Sequence, residues 1–183
     1  MNNKLANINK TLLMGPGPSS VSPNVYKALS TFTVGHLDKR FLDLMDDVKK
    51  MLRKLLKTKN DLTLPVSGTG TAAMESCFVN LIEPNDKVLV IENGYFGLRM
   101  IDMCKRLNAD VDTLNFEWGN PVLISEVKEK LKSGNNRYKI VAVVHAETST
   151  GVCNPVEEIG KLTQDNGSLY LVDCVTSLGG MNI

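Results

Sequence analysis

The sequence has 183 residues, 43% of them hydrophobic, and a formal net charge of +1. That is enough apolar material for one sizeable core. The charge balance gives no support to a nucleic-acid or anionic-membrane partner. No run approaches membrane-spanning length, and the opening MNNKLANINK lacks the apolar core of a signal peptide. Cys77, Cys104, Cys153 and Cys174 show neither close pairing nor metal-type spacing, so no metal site is expected. They read as reduced, mostly buried thiols of an intracellular protein.

Met1 to Lys10 reads as an arm. Leu12 to Ser20 is a rigid loop, since Pro16 and Pro18 fix φ and remove donors. A helix starts at Ser22, with serine as N-cap and Pro23 at the first helical position. Gly35-His36 opens a longer helical segment, in which Phe41, Leu44, Met45, Val48, Leu52, Leu55 and Leu56 recur at helical spacing. Leu62 to Asn80, LTLPVSGTGTAAMESCFVN, then reads as a short apolar strand, a glycine turn and a helix. Gly68 and Gly70 let the backbone turn and approach a ligand closely. Thr69 and Thr71 offer hydroxyls where the helix presents unpaired N–H groups and the positive end of its dipole, which is the makeup of a phosphate cradle.

Pro84-Asn85-Asp86 is a turn, and Lys87 to Ile91 a buried strand. Gly94 to Leu107 is a loop into a helix, Val111 to Leu114 a strand, and Leu123 to Leu131 a helix ended by Ser133-Gly134-Asn135. Tyr138 to Val144 is a continuous β-branched run, Pro155 to Gln164 a helix, and Ser168 to Val172 a buried strand. Such alternation predicts an α/β fold, a mainly parallel sheet with helices on both faces. Ligands in such sheets sit beyond the carboxyl ends of the strands. Three of those ends are polar here: Ser67 to Thr71, His145 to Thr150, and Asp173 to Ser177.

Gly68-Thr69-Gly70-Thr71-Ala72-Ala73 fits G-x-G-x-x-A, and Glu92 follows at roughly the distance a dinucleotide fold expects. A nicotinamide-binding module built on Gly68-Thr69-Gly70 is therefore one reading. Pro65 and Ser67 crowd the strand end against it, and it leaves the other polar strand ends unused. A Walker-type loop has weaker support still, because no Lys-Ser/Thr follows the glycines.

Six blocks, in order, point elsewhere: Gly15-Pro16-Gly17-Pro18, Gly35-His36, Ser67 to Thr71, Asn93-Gly94-Tyr95-Phe96-Gly97, Glu147-Thr148-Ser149-Thr150-Gly151, and Val172 to Gly180. Together they resemble the class V aminotransferases, within the alanine–glyoxylate and serine–pyruvate branch. The resemblance implies the three-layer fold type I large domain, pyridoxal 5′-phosphate (PLP) as cofactor, and a homodimer. It also implies small amino acid and 2-oxo acid substrates. Cytoplasm is the expected compartment, with peroxisome or mitochondrion the eukaryotic alternatives. By position it gives Thr69, Gly70 and Thr71 to the cofactor phosphate, Phe96 to the ring face and Thr148 to a ring substituent. Gly17 is placed near the substrate. The plain alternatives are an ordinary strand–helix turn, a core phenylalanine and a strand-end threonine.

Asp173 ends a buried strand, where an uncompensated carboxylate is costly. A protonated pyridine nitrogen would compensate it and keep the ring an electron sink. The alternative is a helix cap or a structural ion pair. Val175 would pack on the ring face opposite Phe96. Cys174 is expected to point into the core, and His36 and His145 to have structural hydrogen-bond roles. The Schiff-base lysine of the family lies in a segment this chain does not contain, as does the arginine that grips the substrate carboxylate. The expectation is therefore residues 1–35 as arm and first helix, and 36–183 as the N-terminal part of a PLP-binding large domain. The longer protein would move an amino group from alanine or serine to glyoxylate or pyruvate, while the 183-residue chain would be inactive. The alternatives are ureidoglycine–glyoxylate or 2-aminoethylphosphonate transamination, a lyase, the dinucleotide module, or a non-catalytic binding remnant.

Overall fold

The computed structural model describes residues 8–133 and 137–181. Most of the expected N-terminal arm and two residues of the expected stop after Leu131 lie outside that range. The chain forms two compact units, Met1–Val48 and Lys49–Ile183.

In the first unit, α1 spans Pro23–Leu29 with Ser22 at its N-cap. The Ser22 hydroxyl makes no capping bond; its carbonyl accepts from the Val25 N–H at 3.0 Å. Helix α2, Lys39–Leu55, continues past the boundary between the units. It begins three residues after the expected Gly35-His36 opening, because those residues form a turn in which the Asp38 N–H donates to the Gly35 carbonyl. The cap is Asp38, whose carboxylate accepts from the Arg40 N–H at 2.8 Å and its guanidinium at 2.7 Å. Phe41, Met45, Val48 and Leu52 form the half-buried stripe of α2, whereas Leu44, Leu55 and Leu56 are exposed.

In the second unit, the strand expected over Leu62 to Val66 does not form. Leu62, Leu64 and Val66 are exposed, and no strand of the described residues runs beside them. An extended segment becomes a strand only through its ladder. Here Thr63 alone is buried, its hydroxyl donating to the Asn60 carbonyl at 2.7 Å. Helix α3 follows at Gly70–Leu81, then β1 at Lys87–Glu92, α4 at Tyr95–Arg106 and β2 at Asp110–Asn115. After these come α5 at Ile124–Lys132, β3 at Ile140–Val144, α6 at Val156–Asn166 and β6 at Leu169–Asp173. A small antiparallel hairpin, β4 (Ala146–Glu147) with β5 (Val152–Cys153), interrupts the step from β3 to α6. In the sequence it shows only as a polar strand end.

Strands β2-β1-β3-β6 lie side by side in that order, all parallel. Alternate residues go to opposite faces. Val88, Val90, Ala142 and Val144 meet Met74 and Phe78 of α3 and Met100 of α4. Leu89, Ile91, Val141 and Val143 meet Val127 of α5 and Ile159 of α6. The result is three layers with two cores. Of the cysteines only Cys104 is buried; Cys174 is half-buried, and Cys77 and Cys153 are exposed. The expectation of mostly buried thiols fails because α3 buries only Met74 and Phe78, and β5 is a two-residue surface strand.

The chain runs outward from β1 to β2, then returns past β1 to β3 and on to β6. The order therefore reverses between β1 and β3, and beyond the carboxyl ends of strands at such a reversal lies the crevice of open α/β sheets.

Candidate functional site

Four segments converge at this edge: the start of α3, the start of α4, the turn after β3 and the turn after β6. One open cavity is lined there by Gly70, Thr71, Phe96, Thr148, Asp173 and Val175, with Met74 and Val144 behind. Six of the seven residues predicted to hold a cofactor are thus brought together. The seventh, Thr69, is the N-cap of α3 next to Gly70, and its hydroxyl accepts from the Ala72 N–H at 3.2 Å. Gly17 belongs to the first unit, in the loop ahead of α1, with φ of 152°.

The glycine turn works differently from the expected reason. Neither Gly68 nor Gly70 has a positive φ. The close approach at 70 is to a side chain: a Cβ there would stand 2.9 Å from Cγ2 of the exposed Val175. Val175 therefore packs against the first residue of α3, and its N–H donates to Asp173 Oδ1 at 2.9 Å.

Asp173 is paired in register with Val144 at the end of β6. Burial pushes its carboxyl above the ordinary range; the Val175 N–H opposes this, and the nearby Glu147 charge adds to it. No cationic side chain of the described residues lies within ion-pair distance of it. Burial also raises the Cys174 thiol, which disfavours its thiolate. The structural bonds expected of His145 are made by its main chain, the N–H donating to the Asp173 carbonyl at 2.9 Å. Its imidazole Nδ1 is buried and has no partner among the described residues.

Phe96 is presented by the first turn of α4, and that turn is held by a residue whose role the sequence does not reveal. Glu147 is 1% exposed. Its carboxylate accepts from the N–H groups of Phe96 (3.2 Å), Gly97 (3.3 Å) and Ser149 (3.1 Å) and from the Ser149 hydroxyl (2.7 Å). The Ser149 oxygen in turn accepts from the Tyr95 N–H at 2.9 Å. An anion at a helix N-terminus is well placed, and it bolts α4 to the hairpin. Gly94 makes room for it, since a Cβ there would lie 2.2 Å from Glu147 Cγ. Arg99, one turn on, donates from Nη1 to the Thr71 hydroxyl oxygen at 2.7 Å. Asn93 and Asn154 form a buried, reciprocal amide pair at 2.8 and 3.1 Å. The partner of Asn154 lies 61 residues away, and a pairing at that separation has no local sequence signal.

The dinucleotide reading loses both its supports. No strand of the described residues precedes the glycines, and the Glu92 carboxylate is buried and accepts from Trp118 Nε1 at 2.7 Å. It is spent inside the fold and cannot meet a ribose.

A parallel sheet with a reversal, and a cavity outside it that joins a helix N-terminus, a ring and a carboxylate without a cationic partner, is the layout of a domain of the open α/β class. Residues 12–183 match the aminotransferase class-V family, and the chain belongs to it. It is 39% identical over 180 residues to alanine–glyoxylate aminotransferase of Rattus norvegicus, which covers 98% of this chain and 43% of the rat protein. The crystal structure of alanine–glyoxylate aminotransferase from Nostoc sp. superimposes with a TM-score of 0.91 at 48% identity, covering 96% of this chain and 46% of that one. The ureidoglycine–glyoxylate aminotransferase of Bacillus subtilis does so at 0.92 and 36%, covering 96% and 45%. The architecture is fold type I, and the chain spans less than half the length of these relatives.

Proposed function

We propose that this chain is the N-terminal part of the cofactor domain of a PLP-dependent transaminase that moves an amino group from alanine or serine to glyoxylate or pyruvate. The observation that carries the reading is Asp173, a carboxylate pushed upward by burial, without a cationic partner, facing the cavity that holds Phe96 and the start of α3. A group that is cationic at one end, aromatic in the middle and anionic at the other complements those three features. When bound, PLP supplies an electron sink for the charge left when a substrate α-proton departs.

The chain's own residues do the rest. Asp173 holds a proton at the pyridine nitrogen, in a low-dielectric setting that strengthens the bond. Phe96 and Val175 cover the two ring faces, and Thr148 meets a ring substituent. The free N–H groups at the start of α3, with Gly70 and the Thr71 hydroxyl, receive the phosphate, while Thr69 fixes the turn. The longer protein is a homodimer of the cytoplasm. Two relatives named for glyoxylate as acceptor support that substrate.

Equilibrium dialysis of the chain against PLP and NADH tests the cofactor: PLP is expected to be preferred, and tighter NADH binding overturns the proposal. A donor panel of alanine, serine and ureidoglycine, with glyoxylate as acceptor, tests the longer protein. Ureidoglycine as the best donor would favour the second reading, which rests on the 37% identity to the Bacillus subtilis ureidoglycine enzyme.

A further inference from the structure

We infer that Arg99 is the cation that pairs with the cofactor's phosphate; the assignment rests on the PLP reading above. Arg99 is half-buried on α4 and reaches across to α3, donating to Thr71 Oγ1 at 2.7 Å. Its guanidinium carbon stands 5.1 Å from the Tyr95 ring centre and 5.3 Å from that of Phe96. The two rings meet edge to face, 5.7 Å apart at 88°. No carboxylate of the described residues is within ion-pair distance of Arg99, whereas Arg106, two turns on, is bonded to Asp102 at 2.8 Å.

A partly buried guanidinium without a carboxylate suits an anion, and its bond to Thr71 directs that anion to the start of α3. The Thr71 hydroxyl accepts from Arg99, so its own hydrogen is free to donate into the cavity. Among the described residues, the only charged group lining the cavity is Asp173, which is an anion. The charges do not balance without Arg99 either. A helix N-terminus supplies roughly half a positive charge, against about −1.5 to −2 on a phosphate monoester. The planar fork suits phosphate oxygens. The rings and Thr71 have already fixed the side chain, so little further ordering is needed on binding.

Isothermal titration calorimetry of the 183-residue chain with pyridoxine 5′-phosphate and pyridoxine isolates the phosphate and avoids the aldehyde. The wild type is expected to prefer the phosphate ester. Arg99→Met is expected to weaken that ester about ten-fold or more and leave pyridoxine binding unchanged. Arg99→Lys, which keeps the charge but not the fork, is expected to fall between them, and it decides the question if the Met variant does not fold. Unchanged ester affinity in both variants overturns the assignment. Equal losses for both compounds also overturn it, since Arg99 would then act only through the Phe96 ring. A wild type with no preference for the ester removes the phosphate cradle itself, a separate result.

Discussion

A half-buried carboxylate weakens the fold that carries it until a cation arrives. Asp173 is one, at the end of a strand that is exposed at Leu169 and half-buried beyond it rather than buried as expected, because it lies at the sheet edge. The Asp173 carboxyl is raised, so the folded chain holds this proton to a higher pH than the unfolded chain does. Stability therefore falls as pH rises from the ordinary carboxylate range through the raised value, and above that value the whole penalty is present. Asp173→Asn should raise the melting temperature of the ligand-free chain at pH 7. The gain should fade as pH falls to that of a free carboxylic acid, and melts of both proteins across that range measure it. In the longer protein the same change should slow turnover by roughly ten- to hundred-fold, the equivalent of about 1.5–3 kcal/mol for a charge-assisted bond. Cofactor content should be retained. Wild-type turnover would make Asp173 structural. The two crowded glycines should separate in the same way. Gly94→Ala drives a methyl into buried Glu147, and about 1–3 kcal/mol of stability should be lost in urea denaturation. At Gly70 the obstacle is Val175, 70% exposed and free to turn. The exposed side chain can relieve the crowding, so Gly70→Ala should weaken binding of PLP more than folding.

The strands and helices around the sheet can be read from the sequence wherever burial is continuous. Val88 to Ile91 and Ile140 to Val144 are buried without a break, and a run apolar on both faces is what a strand covered from both sides requires. Leu62 to Val66 is less continuous, broken by Thr63 and Pro65, and with no neighbouring strand among the described residues it has no ladder to join. The start of α2 is displaced from the expected position because Asp38 caps the helix with its side chain, whereas Gly35 only turns the backbone ahead of it. At the site, the glycine turn and the strand-end aspartate are legible because each is a local feature. Glu147 and Arg99 are not, since their partners lie 50 and 28 residues away. The amide pair is the same kind of feature, and it is what joins the elements. Asn154 donates to Val144 of β3 and accepts from the Val122 N–H ahead of α5 as well as from Asn93 after β1. Asn154→Ala would leave three buried polar groups short of partners. The expected loss is on the order of 3 kcal/mol, seen as a lower urea midpoint, and a loss below about 0.5 kcal/mol would mean water replaces the amide.

Across the whole molecule, no lysine of the described residues lines the cavity. Borohydride reduction of the 183-residue chain with PLP should therefore label no single lysine stoichiometrically, and the chain alone should not turn over alanine and glyoxylate. One stoichiometric adduct with turnover would refute this. The two edges of the sheet also differ. Asp110 and Asp112 lie on β2, whereas β6 is flanked by exposed Leu169, Val175 and Leu178. A bare edge with apolar neighbours invites association, so the isolated chain should bind an apolar dye or sediment above its monomer mass. A clean monomer with a sharp melt would count against that. A last consequence follows from the direction of the strands. The cavity lies beyond their carboxyl ends, where the starts of α3 and α4 also meet. At the amino ends lie the Lys139–Asp86 ion pair and the Gly167 turn, where Arg137 donates to the Gly167 carbonyl at 3.3 Å. The domain can thus be held from behind. A chain tethered to a sensor surface through exposed Asp165 should present an open mouth, and its affinity for pyridoxine 5′-phosphate should equal that of the chain free in solution.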